Sequence, residues 1–336
     1  AAPCRRGRDL PPQRKDGGRV IRSRQLRRAK TLAVSAARAV FLIAFSFILV
    51  YPILFMLSNA VKTQSDLMTP AVQWISRNPT LFSFTYAFEA MQYPTALKNT
   101  VVFELVSATI EVFSCAVAAY GLARFDVPLK RLLTAFLFLT ILVPDIILVI
   151  PRLSNFRYLD FCGILGGLSK LFGTELRPNL TDTPWAFWLP SLFGVGLKGG
   201  LFIFIYMQFF KGLPGELEEA AWIDGAGPVR TFVRIILPSS GVALLTVTIF
   251  SVVWHWNDWL YATMYTVNNR TLAAVLYNID QVIIQWRNAS GQEMNSELSY
   301  GIPLAACLLY ITPPVVMYLF LQKKFIQSID RVGIVG

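Results

Sequence analysis

Few residues in this 336-residue chain are suited to covalent or metal chemistry. His255 is the only histidine, and the cysteines stand far apart, at Cys4, Cys115, Cys162 and Cys307. Their spacing fits neither a disulfide framework nor a zinc site. No nucleophile, base and orienting group can be combined into one catalytic set. The sequence therefore predicts a protein that is not an enzyme and that holds no metal or cofactor.

A second set of polar and aromatic residues stands inside or beside long apolar segments. Its members are Asp145, Trp256, Asn257, Asp258 and Tyr261. An ionised carboxylate near the centre of a membrane helix costs about 2.5–3.5 kcal/mol, so such a group usually faces protein or water. We predict that this set lines a polar path through the membrane, or its gate. Hydrogen bonds between helices are the open alternative, and for Asp145 they are the preferred interpretation.

A polar segment of a different kind occupies residues 213–238, between two long apolar segments. Pro214 suits the first turn of a helix, Gly225 allows the chain to reverse, and Pro228 can open a second helix. We therefore predict a helical hairpin along the inner face of a membrane. Its small alanines permit close approach and Glu219 offers a carboxylate to a basic residue, as expected of a docking element for a soluble partner. The alternative is an amphipathic connector that only joins two spans.

The elements that position these residues follow from composition. Hydrophobic residues make up 54% of the chain and charged residues 15%, with a mean hydropathy of +0.51. Soluble domains carry about 25% charged residues, so the composition is typical of a polytopic membrane protein. A helix needs about 20 apolar residues to cross the bilayer core. We predict an all-α fold with six transmembrane helices, at about 37–60, 98–123, 131–151, 185–210, 241–263 and 301–322, and with the hairpin between spans four and five.

Some of these apolar runs contain helix-breaking or ionisable residues. The fourth is interrupted by four glycines, and the third, which ends at Pro151, can bend at its prolines. The glycines are Gly194, Gly196, Gly199 and Gly200. Glu104 and Glu111 fall on one face of the second run, where they could pair with a partner subunit. His255 is interpreted as a packed or interfacial residue.

Charge patterning sets the orientation of the spans. Residues 1–38 contain twelve Lys and Arg against Asp9 and Asp16, a net charge of +10. A nucleic-acid-binding arm is one interpretation, but a disordered cytoplasmic tail over residues 1–36 is preferred. Basic residues also flank the loops after the second, fourth and sixth runs, so both termini are placed in the cytoplasm. Residues 61–96, 152–184 and 264–299 then face outward, and no cleaved signal peptide is predicted.

The hairpin carries a long spaced motif. Its fixed positions are Glu219, Ala220, Ala221, Gly225, Ile235, Leu237 and Pro238. This pattern resembles the EAA loop of ABC importer permeases. The resemblance implies that the hairpin docks on a cytoplasmic ABC ATPase dimer through Glu219, Ala220, Ala221, Asp224, Gly225 and Ala226.

Other segments extend the resemblance over most of the chain after about residue 37. Ala118–Phe125 and Trp256–Asn257–Asp258 are similar to signatures of carbohydrate importers of the maltose-permease type, and the chain is most similar to the MalG-like subunit. Two segments depart from the pattern: residues 152–184 are longer than usual, and 326–336 only loosely resemble the family's glycine-rich ending. The resemblance implies a permease domain over 37–324 and a cytoplasmic tail over 325–336.

The implied function is a non-catalytic subunit that couples ATP hydrolysis elsewhere to sugar import. No Gly-x-x-x-x-Gly-Lys-Ser/Thr run is present, so ATP would bind another polypeptide. The implied partners are a second homologous permease, the ATPase dimer, an extracytoplasmic solute-binding protein and membrane lipid, but no nucleic acid, in the cell membrane of a prokaryote. An oligosaccharide or modified sugar is the expected substrate. Trp254, Trp256, Trp259 and Tyr261 could stack on its rings, and anchoring at the membrane interface is the open alternative for them. A non-sugar solute and an ion-coupled secondary transporter remain alternatives.

Overall fold

The computed structural model describes residues 17–160, 163–174, 176–291 and 300–333, with side chains described except at 17–29, 64, 290, 321 and 323–333. Every regular element in these ranges is helical, which confirms the all-α prediction. Predictions that concern Cys4, Cys162, the first part of the basic tail and residues 334–336 lie outside the described residues. The chain divides at Met56 into two units, and all sites below lie within Leu57–Gly336.

The helices follow one another in this order: α1 (Gly17–Ala60), α2 (Gln64–Leu67), α3 (Phe82–Ala90), α4 (Tyr93–Asn99), α5 (Val106–Arg124), α6 (Lys130–Leu142), α7 (Asp145–Arg157), α8 (Ile164–Phe172), α9 (Trp185–Leu192), α10 (Gly199–Gly212), α11 (Glu216–Ile223), α12 (Pro228–Thr231), α13 (Leu237–Ser239), α14 (Gly241–Trp256), α15 (Leu260–Tyr265), α16 (Leu272–Tyr277), α17 (Ile279–Ser290) and α18 (Gly301–Gly333). Two π-helical segments, Thr100–Leu105 and Phe232–Ile236, join α4 to α5 and α12 to α13.

Membrane-spanning length is reached by three of these stretches, namely Lys30–Ala60, Tyr93–Arg124 and Gly301–Phe320. Two bent pairs, Lys130–Leu142 with Asp145–Arg157 and Pro228–Ser239 with Gly241–Trp256, raise the count to five if each is one span. The predicted fourth span, built here from α9 and α10, is not among these candidates. Among the described residues, the structure thus supports three to five apolar spans.

The prediction that the third span ends at Pro151 is wrong. The helix stops at Leu142, the axis turns by 102° and α7 then continues through Pro151 to Arg157. Pro144 causes the break because a residue before proline is pushed out of the helical region, and Val143 is indeed extended, with ψ 121°. Pro151 is tolerated within α7, so the two prolines of this segment have different consequences.

Two other boundaries differ from prediction. Helix α1 begins at Gly17, so residues 17–36, expected in a disordered tail, are helical; they contain no proline to interrupt a helix. The predicted fifth span, 241–263, contains a break between Trp256 and Leu260.

Three apolar clusters hold the second unit together. One unites α3 with α16, α17 and α18, and includes Tyr86 and Ile302. The largest fully buried aromatic side chains, Tyr206, Phe202 and Phe210 of α10, belong to another, which joins α10 to α5 and α14. The third surrounds Tyr265 and joins α7, α9 and α15. Helices α5, α10 and α14 thereby form the frame on which the hairpin rests.

Candidate functional site

The segment 213–238 folds as the predicted helix, turn and helix. Helix α11 ends at Ile223, and Gly225 adopts φ +77°, a conformation that costs side-chain-bearing residues about 1–2 kcal/mol. The Gly225 amide donates to the Trp222 carbonyl, and the Ala226 amide donates to that of Ala221, closing the end of the helix. Pro228 opens α12 as predicted, whereas Pro214 lies before α11 rather than in its first turn.

The predicted docking residues are mostly on the surface of this hairpin. Four of them are exposed: Glu219, Ala220, Asp224 and Gly225. Ala226 is half-buried and Ala221 is buried. Sequence reasoning missed three exposed apolar side chains among them: Trp222 (47% exposed), Ile223 (86%) and Val229 (78%). The sequence already contained the signal that could have identified them, because large apolar residues at the tip of a polar hairpin have no lipid to cover them.

The inner side of the hairpin is fixed to the frame by contacts from the end of α5. The Arg124 guanidinium donates to the Leu213 carbonyl over 2.7 Å, and its Nε lies 3.6 Å from Oε2 of Glu218. The Tyr120 ring packs against Phe232, with ring centroids 5.0 Å apart, and against Phe210 at 6.1 Å. The hairpin, α5 and α10 therefore share one aromatic and ionic junction.

Three of the predicted path residues surround Arg152 of α7. Its guanidinium donates to the Tyr261 hydroxyl over 3.3 Å, and together with Tyr261 and Asp258 it lines a small cavity. Arg152 also lines a second cavity of about 540 Å³ with Asp145, which is paired with Lys198. The ion pair links α7 to the residue that precedes α10. Asp258 is buried and accepts the Tyr261 amide over 3.0 Å.

The other two predicted path residues lie around Tyr310 of α18. The Tyr310 hydroxyl donates to the Trp256 carbonyl at 2.8 Å and is 3.2 Å from Oδ1 of Asn257. Trp256 is buried, so its ring offers no free face, whereas Asn257 is exposed. A pair that sequence reasoning did not assemble stands beside them: Trp259 and Tyr277 stack with centroids 4.1 Å apart, and both line a cavity of about 220 Å³ with Asn257.

Two carboxyl groups of the second span turn inward. Glu104 and Glu111 are fully buried within this chain, whereas the sequence had left open that they pair with a partner subunit. Glu111 lies near His255 of α14, with 3.2 Å between Oε2 and Nε2. His255 is buried, as its interpretation as a packed residue requires.

Two connecting segments of the chain are joined at Asp182, which has φ +63°. Its carboxylate accepts the backbone amides of Val267, Asn268 and Asn269, at 3.0–3.1 Å, and the Asn268 side chain. Burial alone would raise the pKa of Asp182, but these hydrogen bonds outweigh it and lower the pKa below its ordinary value. The long segment 152–184 is thus tied to the loop that follows α15.

Apolar helices of membrane-spanning length, together with an exposed hairpin fixed to the end of α5, define a polytopic membrane protein. The chain belongs to the family of binding-protein-dependent transport system inner membrane components, whose family model matches residues 113–331. This confirms the family that the hairpin motif indicated. The protein is therefore the non-catalytic, membrane-embedded permease subunit of an ABC transporter, and ATP hydrolysis occurs in a separate subunit.

Similar proteins include permeases for different solutes. The chain is 27% identical to the trehalose transport system permease protein SugB of Mycobacterium tuberculosis, over 85% of this chain and 92% of that protein. It is also 27% identical to the sn-glycerol-3-phosphate transport system permease protein UgpE of Pectobacterium atrosepticum, over 69% of this chain and 71% of that protein. Its fold is similar to that of one chain of a bacterial ABC transporter involved in the import of the acidic polysaccharide alginate, with a TM-score of 0.64 and 16% identity. The match covers 88% of this chain and 98% of that chain.

Proposed function

We propose that this permease imports a carbohydrate and that the hairpin 213–238 is the site at which its ATPase docks. The observation that carries the proposal is the division of the hairpin into two sides. Glu219, Ala220 and Asp224 are exposed, while Glu218 and Ala221 face inward. One side is thus available to a soluble partner and the other is bound to the transmembrane frame.

The exposed side has the composition of a protein interface. Trp222, Ile223 and Val229 supply apolar anchors, and large aromatic residues often dominate the binding energy of interfaces. Glu216 and Glu219 in the first turn of α11 add negative charge that suits basic residues of a partner. The contact would place small residues at its centre, where backbones can approach closely.

The inner side provides a route by which ATPase motion reaches the membrane. Arg124 binds the hairpin at Leu213 and Glu218, and Tyr120 packs on Phe232. A displacement of α11 would therefore pull on α5 and α10 together. In this scheme the bends at Val143–Pro144 and at Ser240 accommodate the change between outward- and inward-open states.

Carbohydrate is the proposed substrate because the described part of the path presents aromatic rings and amides. The stacked Trp259 and Tyr277 leave exposed ring surface next to the exposed amide of Asn257. Sugars offer apolar C–H faces to aromatic rings and hydroxyl groups to amides. Asp145, Trp256, Asn257, Asp258 and Tyr261 are proposed to line or support this path.

The proposed assembly follows from the same topology. Six spans, counting α9 with α10 as the fourth, place both termini and the hairpin in the cytoplasm of a prokaryote. A second homologous permease would complete the pore. A solute-binding protein, which the family's description requires, would dock on the outward segments 61–96, 152–184 and 264–299.

A non-sugar solute is the second candidate, and the similarity to a sn-glycerol-3-phosphate permease favours it. Arg152 and Lys198 beside the cavity of about 540 Å³ could receive a phosphate. Their pairing with Tyr261 and Asp145 leaves them less available for this purpose, so carbohydrate is preferred. An ion-coupled transporter would not need the exposed hairpin.

Affinity copurification from the native membrane tests the proposal, with Glu219→Lys as the variant and Glu89→Lys as its control. Both residues are exposed glutamates, but Glu89 lies on α3, outside the hairpin. We expect an ATPase and a second permease with the wild type and the control, and loss of the ATPase alone with Glu219→Lys. A transport-competent chain that purifies without any ATPase would favour an ion-coupled transporter instead.

A further inference from the structure

A buried carboxyl group occupies the gap in the broken fourth span. Between α9 and α10 the chain passes Glu111 of α5 so closely that Cβ atoms added at Gly196 and Gly199 would each lie 2.8 Å from Oε1 of Glu111. A Cβ atom at Gly199 would also clash with the Gly194 carbonyl oxygen, and one at Gly196 with Oγ of Ser191. Two of the four glycines that interrupt the fourth span thus leave room for the Glu111 carboxyl group beside the α9–α10 connection.

His255 approaches the same carboxyl group from α14. Its Nδ1 lies 2.9 Å from the Ser251 carbonyl oxygen, and its Nε2 lies 3.2 Å from Oε2 of Glu111. A carbonyl oxygen only accepts hydrogen bonds, so Nδ1 must carry a hydrogen atom. Nε2 of the neutral ring is then an acceptor, and its contact with Glu111 needs a proton from the carboxyl group. Oε2 of Glu111 makes no regular hydrogen bond in the structure. Two acceptor atoms that lie 3.2 Å apart repel each other, so the contact requires one proton between the two side chains.

Burial determines where that proton resides. Glu111 and His255 are both closed off from water, and an ion pair in such surroundings carries a large desolvation cost. A neutral carboxylic acid that donates to a neutral imidazole avoids this cost. The charged and titratable groups on the elements packed around the pair are Glu104 from the π-helical segment, Cys115 from α5, Arg152 from α7, and Asp258, Tyr261 and Tyr265 beyond the end of α14. Of these only Arg152 brings positive charge, and it is already bound to Tyr261.

We propose that Glu111 and His255 share one proton as a neutral pair and are positioning residues that hold the broken fourth span against α5 and α14. The pair joins three elements at one point: α5 through Glu111, the α9–α10 connection through Gly196 and Gly199, and α14 through His255. Ser251 strengthens the same junction, since its hydroxyl donates to the Ala108 carbonyl over 3.1 Å. The effect on transport rests on the proposed import function, whereas the shared proton does not.

The absence of other histidines in this chain makes the pair accessible to nitrogen NMR. The assembled transporter is labelled with ¹⁵N-histidine in lipid, and the spectrum of a His255→Gln complex is subtracted to isolate the His255 ring. We expect a neutral ring with hydrogen on Nδ1 and a hydrogen-bonded, unprotonated Nε2, from mildly acidic to mildly alkaline pH. In Glu111→Leu the chemical shift of Nε2 should move to the value of an unprotonated nitrogen that accepts no hydrogen bond. Glu89→Gln, at an exposed glutamate of α3 that does not line the cavity beside His255, is the control and should leave the signal unchanged.

Uptake by the same complexes in proteoliposomes tests the positioning role. Glu111→Gln keeps a donor for Nε2 and should retain uptake within about twofold, whereas Glu111→Leu fills the space without a donor and should lose roughly tenfold, because an unpaired buried polar atom is costly. A doubly protonated ring, or an Nε2 signal that Glu111→Leu does not change, would overturn the shared proton. Equal uptake by the Gln and Leu variants would overturn the positioning role. A wild-type complex that transports no sugar would contradict the proposed function alone and leave the NMR result standing.

Discussion

Arg124, the last residue of α5, lies with its Nε 3.6 Å from Oε2 of Glu218 in the hairpin, and both side chains are largely shielded from solvent. The same guanidinium donates to the Leu213 carbonyl, at the point where α10 ends. One cation therefore contacts the ends of α5 and α10 and the first helix of the proposed docking element. In the proposed mechanism this pair transmits movement of the hairpin to α5, in addition to stabilising the fold.

Removing this cation should cost more than removing its acidic partner. Arg124→Met loses both the ion pair and the bond to Leu213, whereas Glu218→Gln leaves the latter intact. Hydrogen bonds to charged groups contribute about 1.5–3 kcal/mol, so we expect a larger loss of solute uptake per ATP hydrolysed in Arg124→Met than in Glu218→Gln. The ratio of uptake to hydrolysis in proteoliposomes measures this. Equal losses in the two variants would show that the bond to Leu213 has no part in coupling.

The turn of the hairpin offers a paired glycine test. Gly225 has φ +77°, so Gly225→Ala should destabilise the turn by about 1–2 kcal/mol. Gly227, two residues further on, has φ −75° and open space around its Cβ position, so Gly227→Ala is a matched control. We expect faster proteolysis within the hairpin and less copurified ATPase for the first variant only. Identical cleavage rates in both variants would show that the turn does not require glycine at position 225.

Local signals predicted the helices and the hairpin well, because proline and glycine act on their own neighbours. Pro228 and Gly225 were assigned their roles from sequence alone, and the structure places them accordingly. Pro144 and Pro151 show the limit of such signals. Both could break a helix, and only the surrounding structure decides that the sharp bend falls at Pro144 while Pro151 remains inside α7.

Contacts between distant residues could not be predicted from one sequence. Glu111 and His255 are far apart in the chain, and neither residue type indicates the other as its partner. The same holds for the stack of Trp259 on Tyr277. The sequence showed that polar and aromatic residues occupy apolar segments, but the direction in which each side chain points follows from the packing of the helices. Sequence alone therefore left open whether Glu104 and Glu111 face a partner subunit or the interior of this chain.

Acidification should loosen the contact that Asp182 makes with residues 267–269. The pKa of this carboxyl group is lowered in the folded protein, below the value of about 3.9 typical of an unfolded chain. Its stabilising contribution is therefore present above that value and is lost as the pH falls through the folded pKa. Asp182→Asn removes the pH-dependent part of this contribution, since an amide does not titrate and its nitrogen cannot accept the hydrogen bonds that Asn268 donates to Oδ2.

Hydrogen exchange of residues 264–270 measures this effect. The wild type should show protection that falls on acidification, and Asp182→Asn should show low protection that varies little with pH. Asp280→Asn, at an exposed aspartate in the first turn of α17, is the control and should behave as the wild type does. Unchanged protection in Asp182→Asn at neutral pH would mean that the loop is held by other contacts.

The stacked pair of Trp259 and Tyr277 leads to a test of the substrate. If a sugar ring packs on this surface, Trp259→Leu should raise the KM for uptake about twofold to tenfold, since aromatic packing contributes about 0.5–1.5 kcal/mol beyond area burial. Trp259→Phe keeps a ring and should remain close to the wild type. Trp185→Leu is the control, because Trp185 is also exposed and paired with an aromatic residue, Trp188, but does not line the cavity beside Asn257.

Uptake of several saccharides and of a phosphorylated polyol by these variants distinguishes the two candidate substrate classes. A carbohydrate path predicts that Trp259→Leu impairs the uptake of saccharides. The rate of ATP hydrolysis measured in the absence of substrate should not change, because no hairpin residue lines this cavity. A phosphate path predicts instead that loss of Lys198 has the larger effect, since that residue lines the other cavity. Unchanged KM values for every saccharide in Trp259→Leu would remove this aromatic surface from the path and, with it, the structural reason for preferring a sugar.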